Sequence, residues 1–359
     1  MNKTVLIMAG GRGERFWPRS RKNLPKQFLT LTDNGRTMIQ NTVDRVKDIV
    51  AFEDIYISTN DSYKSLVKAQ LPEIPEENII CEPVGRNTAP CIGLAAVNIK
   101  KKYDDALMIV LPSDHLVSNK MLFETAVLNA CDIAEKEDNI VTLGIAPTYP
   151  ETGYGYIKIA DEAESGTAFK VDRFVEKPSY DVAKEYVASE KYLWNSGMFI
   201  WKLSTIMNKF ESYLPNISIG LHKIYTAITS ESIDIADSVI RTEFEGMESI
   251  SIDYGILEKS ENIYVIPVSF GWDDVGSWIA LDRLKKPDEN GNIKSGDVID
   301  IDTEKCIIEG KDKLIATVGL RDIVIIEEED AILICDKEKV GDIRKVVACL
   351  KDADRNELL

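Results

Sequence analysis

Histidine is nearly absent. The 359-residue chain has two, His115 and His222, and neither comes with a G-x-S-x-G elbow, so a Ser–His–Asp hydrolase finds little support. Cysteine pairs are also missing. Cys81, Cys91, Cys131, Cys306, Cys335 and Cys349 are scattered and include no C-x-x-C. That pattern points to free thiols in a reducing compartment rather than a zinc site. No apolar run reaches the roughly 18 residues that a membrane-spanning helix needs. The chain enters an apolar segment at once, without a charged-then-apolar leader, and a cytoplasmic location is the expectation. Net positive charge is lacking too: 60 acidic residues face 43 Lys and Arg, a formal net charge of −17. This argues against a nucleic-acid binder with a broad basic surface. Any anionic ligand must then be met by a local basic patch or a bound cation.

What is present is an ordinary globular mixture, 44% hydrophobic and 29% charged, long enough for one large domain or a large and a small one. The most informative stretch is residues 5–28, VLIMAGGRGERFWPRSRKNLPKQF. Val5 to Ala9 is an unbroken apolar run, as in a strand buried on both faces of a parallel sheet. Gly10, Gly11 and Gly13 follow, then Arg15, Arg19, Arg21, Lys22 and Lys26. Glycines bring backbone N–H groups close to an anion, so glycines among cations read as a phosphate cradle. The plainer alternative is a strand-to-turn junction with a solvated basic loop. The dinucleotide fingerprint fails because Phe16 stands where the third glycine belongs, and the P-loop pattern is absent.

Apolar runs and helical spacings alternate from there: helix 37–50, strand 54–59, helix 61–70, strand 78–81, helix 88–101, strand 106–111, helix 122–136 and strand 140–145. The alternation predicts a Rossmann-like, doubly wound α/β domain. Ligands of such sheets sit beyond the carboxyl ends of the strands. Two further strand ends are therefore of interest: Glu82-Pro83-Val84-Gly85-Arg86-Asn87-Thr88-Ala89-Pro90, and Pro112-Ser113-Asp114-His115. Asn87 or Thr88 can cap a helix that has Pro90 in its first turn. Asp114 suits a hard cation such as Mg²⁺, although an aspartate ending a strand also serves as a turn residue. Thr152 to Ile157 pairs glycines with aromatics, either for close approach of a ligand or as a bulge. Glu176 and Lys177 read alone as a surface pair, and Asn195 beside Gly197 as a turn. Helical stretches are expected over 202–227 and 233–244, and Ser251 or Asp253 can cap a helix. After strand 263–268, Asp273 and Asp274 are framed by Trp272 and Trp278. From residue 287 the texture changes to short strands at 298–301, 306–308, 314–318, 323–326 and 332–335, then a helix over 340–350. That reads as a small β-rich, partial β-helix-like domain spanning 287–359, after a first domain of 1–286.

GGRGERFWPRS with PKQF, EPVGRNTAP, PSDH, FVEKP, WNSGMFIW, SIDYGILEK and GWDDVGSW together resemble the sugar-1-phosphate nucleotidylyltransferases, more narrowly the branch that uses GTP and mannose 1-phosphate. The resemblance spans residues 9–278. It implies a nucleotidyltransferase domain that makes GDP-mannose and pyrophosphate. By resemblance, Ala9, Gly10, Gly11, Gly13, Arg15, Lys26, Glu82, Pro83, Arg86, Asn87, Thr88, Ser113 and Asp114 contact the nucleotide. Gly155, Glu176, Lys177, Asn195 and Asp253 contact the sugar phosphate, and Asp114 and Asp274 hold Mg²⁺. Arg15, Lys26, Asp114 and Asp274 carry the catalysis; Asp273 is given no role. Longer relatives add a phosphomannose isomerase region, whose histidine and glutamate cluster is not found here, so transferase activity without isomerase activity is expected. A homodimer is expected. The alternatives are another hexose or heptose 1-phosphate, and a silent sugar-nucleotide-binding regulatory subunit.

Overall fold

The computed structural model describes residues 1–11, 13–165, 168–230 and 232–359; Arg12, in the glycine loop, lies outside the described residues. The contacts divide the chain into two compact units that interleave in sequence. One comprises Met1–Gly10, Thr42–Ser113 and Val117–Trp272, the other Gly11–Asn41, Asp114–Leu116 and Asp273–Leu359. A cut between residues 286 and 287 follows chain order alone.

In chain order the first strands are β1 (Lys3–Ala9), β2 (Ile55–Asn60), β3 (Ile79–Glu82), β4 (Leu107–Pro112), β5 (Leu116–Val117), β6 (Ile140–Ile145), β7 (Gly155–Ser165), β8 (Ala168–Glu176), β9 (Tyr192–Lys202), β10 (Ile263–Val268) and β11 (Trp272–Asp273). The first unit is built on a nine-stranded sheet ordered β3-β2-β1-β4-β9-β6-β10-β8-β7. The β3-β2-β1-β4 half is parallel throughout. Its strands are apolar runs because helices cover both faces, and Val5, Leu6 and Ile7 are fully buried. The alternation expected from residue 54 onward is therefore present.

The other half departs from simple alternation. Strand β9 enters between β4 and β6 and runs antiparallel to both. Its Asn-Ser-Gly segment reads locally as a turn, yet it lies inside the strand. Gly197 takes φ 69° there, and the register against β6 slips between Thr142 and Gly144. Pairing on two sides has overridden a local preference. The single helical stretch expected over 202–227 is two helices, Leu203–Tyr213 and Pro215–Ser230. Pro215 is tolerated as the first residue of the second, where its missing N–H costs nothing.

The second unit holds β12 (Ile293–Ser295), β13 (Val298–Ile301), β14 (Ile307–Glu309), β15 (Ile315–Val318), β16 (Ile323–Glu327) and β17 (Ile332–Asp336). Strands β12, β14 and β16 stack in parallel, aligning Ile293, Ile307 and Val324. Strands β13 and β15 form a second parallel pair. Successive coils thus place like residues above one another, which is the partial β-helix. The aligned trio is at most 1% exposed and packs with Phe16, Trp17 and Trp278. The chain then forms a helix, Ile343–Asp352.

Candidate active site

Within the second unit the glycine loop folds closely over Lys26 for a reason visible at Gly13. Its φ of 61° is left-handed, and a Cβ there would lie 2.4 Å from the Cβ of Lys26 and 2.9 Å from its backbone nitrogen. Only glycine lets the Lys26 backbone pass so closely. Lys26 is thereby drawn inward: its side chain is 6% exposed. The Nζ group donates to Asp114 Oδ2 at 2.8 Å and to the Asp274 carbonyl oxygen at 2.7 Å. One ammonium therefore joins two residues separated by much of the chain. Buried charges persist only when paired in this way.

Asp114 keeps 35% of its side-chain surface. Burial pushes its carboxyl up, but Lys26 and His115 outweigh that and hold it below the ordinary carboxylate value. Asp274 Oδ1 accepts from Gly276 N at 3.1 Å, and Arg15 donates to the Gly276 carbonyl at 3.3 Å. Gly13, Arg15, Lys26, Asp114 and Asp274 line one cavity of about 620 Å³, together with Glu14, Phe16, His115, Gly276 and Arg344. Gly11 is exposed, and its carbonyl accepts from Gln27 at 3.0 Å.

Not every cation of the loop faces this cavity. Arg19 binds Glu309 and Glu328, at 3.1 and 2.7 Å, and Arg21 reaches Asp330 at 2.6 Å. These arginines are struts to the β-helix. Charge composition alone does not distinguish a strut from a ligand. Sequence reasoning also missed Arg344, because nothing local marks an arginine of a distant helix as cavity-lining.

Asp114 and Asp274 by themselves make an incomplete cage, and the third acid of the cavity, Glu14, is engaged by Lys351 at 2.9 Å. Among the described residues, no cluster of three or more His, Cys, Asp or Glu is arranged to hold a metal. Mg²⁺ is the ion such a set suits, since it is commonly bound by one or two carboxylates and completed by water and phosphate oxygens.

In the first unit, five of the singled-out residues converge. Gly155 pairs with Glu176 across β7 and β8, and a Cβ on Gly155 would stand 2.3 Å from Glu176 Oε1. Asn195, on β9, donates to Asp253 Oδ1 at 2.8 Å. Burial pushes both carboxyls up; Asp253 adds to the rise at Glu176, while Lys177 opposes it at both. Lys177 itself is exposed and has φ 45°. The group offers acceptors, an amide and one ammonium at a shared spot, a set suited to hydroxyls and a phosphate.

Of the remaining residues, Asn87 and Thr88 form the start of the helix Thr88–Lys100. The Asn87 side chain accepts from Thr88 N at 2.8 Å, as a cap. Thr88 Oγ1 accepts from Ile252 N at 2.8 Å, tying this helix to the turn that carries Asp253. Arg86 donates to the Glu245 carbonyl. Glu82 is 6% exposed and takes a hydrogen bond from Ser58 at 3.0 Å; burial raises its carboxyl despite Ser58 and Cys91. Pro83 is half-buried beside it. Gly10 is exposed, 3.8 Å from Glu82 Oε1 by its would-be Cβ, and the Ala9 carbonyl accepts from Thr59 at 3.0 Å. Ser113 N donates to the Met8 carbonyl at 3.1 Å.

Against known proteins, residues 4–290 match the family model described as nucleotidyl transferase, and residues 296–350 match a MannoseP isomerase/GMP-like beta-helix domain. A mannose-1-phosphate guanylyltransferase of Salmonella muenchen is 40% identical over 99% of this chain and 75% of its own length. One of Escherichia coli strain K12 is 39% identical over 98% of this chain and 74% of its own. Among solved structures, mannose-1-phosphate geranyltransferase from Thermus thermophilus superposes with a TM-score of 0.87 at 32% identity, covering 98% of this chain and 100% of that one.

Proposed function

This chain belongs to the nucleotidyl transferase family, and from that premise we propose that it transfers the guanylyl group of GTP to mannose 1-phosphate, giving GDP-mannose and pyrophosphate. An oxygen of the sugar phosphate attacks the α-phosphorus in line. The bond from that phosphorus to the α–β bridging oxygen breaks, and pyrophosphate leaves. The nucleophile is already an anion, so the chain needs no covalent residue; alignment and charge neutralisation are the work. Lys26, Arg15 and the loop amides of Gly11 and Gly13 meet the triphosphate. Glu176, Asn195 and Asp253 hold the hexose hydroxyls, and Lys177 its phosphate. Asp114 and Asp274 hold Mg²⁺, which when bound neutralises charge on the reacting phosphates. Ala9, Gly10, Glu82, Pro83, Arg86, Asn87, Thr88 and Ser113 serve the nucleotide.

The observation that carries this reading is the Lys26 ammonium joined to Asp114 and to the Asp274 backbone inside a cavity also lined by Arg15. The test is pyrophosphate release from GTP, ATP, UTP and CTP with a panel of hexose 1-phosphates, with and without Mg²⁺. GTP with mannose 1-phosphate should be preferred, and release should require the metal. Equal rates without added sugar phosphate, or no release from any pair, would end the proposal.

A cytoplasmic location and a homodimer belong to the same reading. The first is supported by six free cysteines, five of them with thiols pushed up by burial, Cys81 to about 11 and Cys131 to about 12. No helix among the described residues is long and apolar enough to cross a membrane. The second is supported by apolar side chains turned outward on β13 and β15.

A further inference from the structure

The cavity containing Arg15 and Lys26 has a wall from the far end of the chain. Arg344 stands at the second position of the helix Ile343–Asp352 and lines that cavity. Helix register explains how it gets there. Ile343 and Val347 are 2% and 5% exposed and form the stripe that packs on the core with Phe16. Residues 344 and 351 lie about two turns apart on a neighbouring stripe. Lys351 shows where that stripe faces: its Nζ donates to Glu14 Oε1 at 2.9 Å. Glu14 is an acidic group of the same cavity, so this contact also neutralises a charge that would repel phosphate.

Arg344 differs from the other cations there. Lys26 and Arg15 donate to the protein, as described above. Arg344 is exposed, and its side chain makes no hydrogen bond or ion pair with any described residue. Asp342, just before that helix, is engaged by Lys345 at 3.0 Å. An arginine in the first turn of a helix also has the wrong sign for the helix dipole, a cost that a bound anion removes. A guanidinium offers a planar fork of donors matched to phosphate oxygens, and this one needs no partner displaced.

We propose that Arg344 binds the β- and γ-phosphates of the nucleotide and holds the departing pyrophosphate, so that the C-terminal helix is part of the active site. The proposal rests on the nucleotidyl-transfer reading and deepens it. Three variants separate the two: Arg344→Ala, Arg344→Lys and, as a control outside the cavity, Lys345→Ala. Calorimetric titrations with GTP, GMP and inorganic pyrophosphate are run in Mg²⁺ beside steady-state kinetics. Loss of charged hydrogen bonds predicts that Arg344→Ala weakens GTP and pyrophosphate binding by about tenfold or more. GMP binding should be unchanged, Arg344→Lys should recover part of the loss, and Lys345→Ala should match the unmodified protein. The proposal is overturned if Arg344→Ala binds GTP and pyrophosphate normally. It is equally overturned if GMP weakens in parallel with a lowered melting temperature, the mark of a structural role. Unmodified protein that binds pyrophosphate through Arg344 yet releases none from GTP and mannose 1-phosphate would instead refute the transfer reading alone.

Discussion

At the scale of single residues, Lys26 and Asp114 show how one side chain serves two ends. Lys26 pairs with Asp114, and that pairing keeps the carboxylate ionised against its own burial. An ionised Asp114 is what a hard cation requires. Asp114→Asn removes the charge at nearly constant shape. Its kcat should fall by at least about 10²-fold, in line with other lost electrostatic groups. Turnover with unchanged rate and unchanged Mg²⁺ dependence would remove Asp114 from the mechanism. The candidacy of these residues was legible in the sequence, because a glycine-cation loop and a strand-end aspartate are local patterns. That Lys26 turns inward while Arg19 and Arg21 turn to Glu309, Glu328 and Asp330 was not, because partner choice depends on distant carboxylates.

At the scale of elements, Glu327 on β16 organises the turn between β14 and β15. It is 1% exposed; its Oε2 accepts from Lys311 N at 2.6 Å and Asp312 N at 3.0 Å, and its Oε1 from Lys313 Nζ at 2.8 Å. The Lys313 hydrogen bond and the backbone donors pull its carboxyl down to about 2. A folded-state value below the unfolded one means stability that is present above the ordinary carboxylate range. It is lost as pH falls toward about 2. Glu327→Gln should therefore lower the urea midpoint at pH 7. The gap to the unmodified protein should close as the pH is lowered through that window. A gap independent of pH would assign the effect to packing. Strand β9 teaches the same lesson about legibility: Asn195 and Gly197 look like a turn until two neighbouring strands claim their backbone.

For the whole molecule, a net charge of −17 opposes both polyanionic substrates and self-association. Against the first stand three cations that line one cavity, Arg15, Lys26 and Arg344. For the proposed dimer, apolar surface is the counterweight. Ile299 and Ile301 on β13 and Val318 on β15 are 52%, 53% and 66% exposed, and the register puts Ile301 beside Val318. A dimer formed through this face should tighten with added salt, as like charges are screened. The double variant Ile299→Glu, Val318→Glu should sediment as a monomer while keeping its melting temperature. A variant with the mass of the unmodified protein would exclude this face.

Sequence alone determined the parallel half of the sheet, the presence of short stacked strands after residue 287 and the gathering of glycines and cations in one loop. Each is written in neighbouring residues, as a hydrophobic period or a cluster of like side chains. Tertiary structure decided which cations line the cavity, the entry of β9 into the sheet and the arrival of Arg344 beside Glu14. Those outcomes depend on backbone pairing and on ion pairs between segments far apart in the chain, and no local period records such partners.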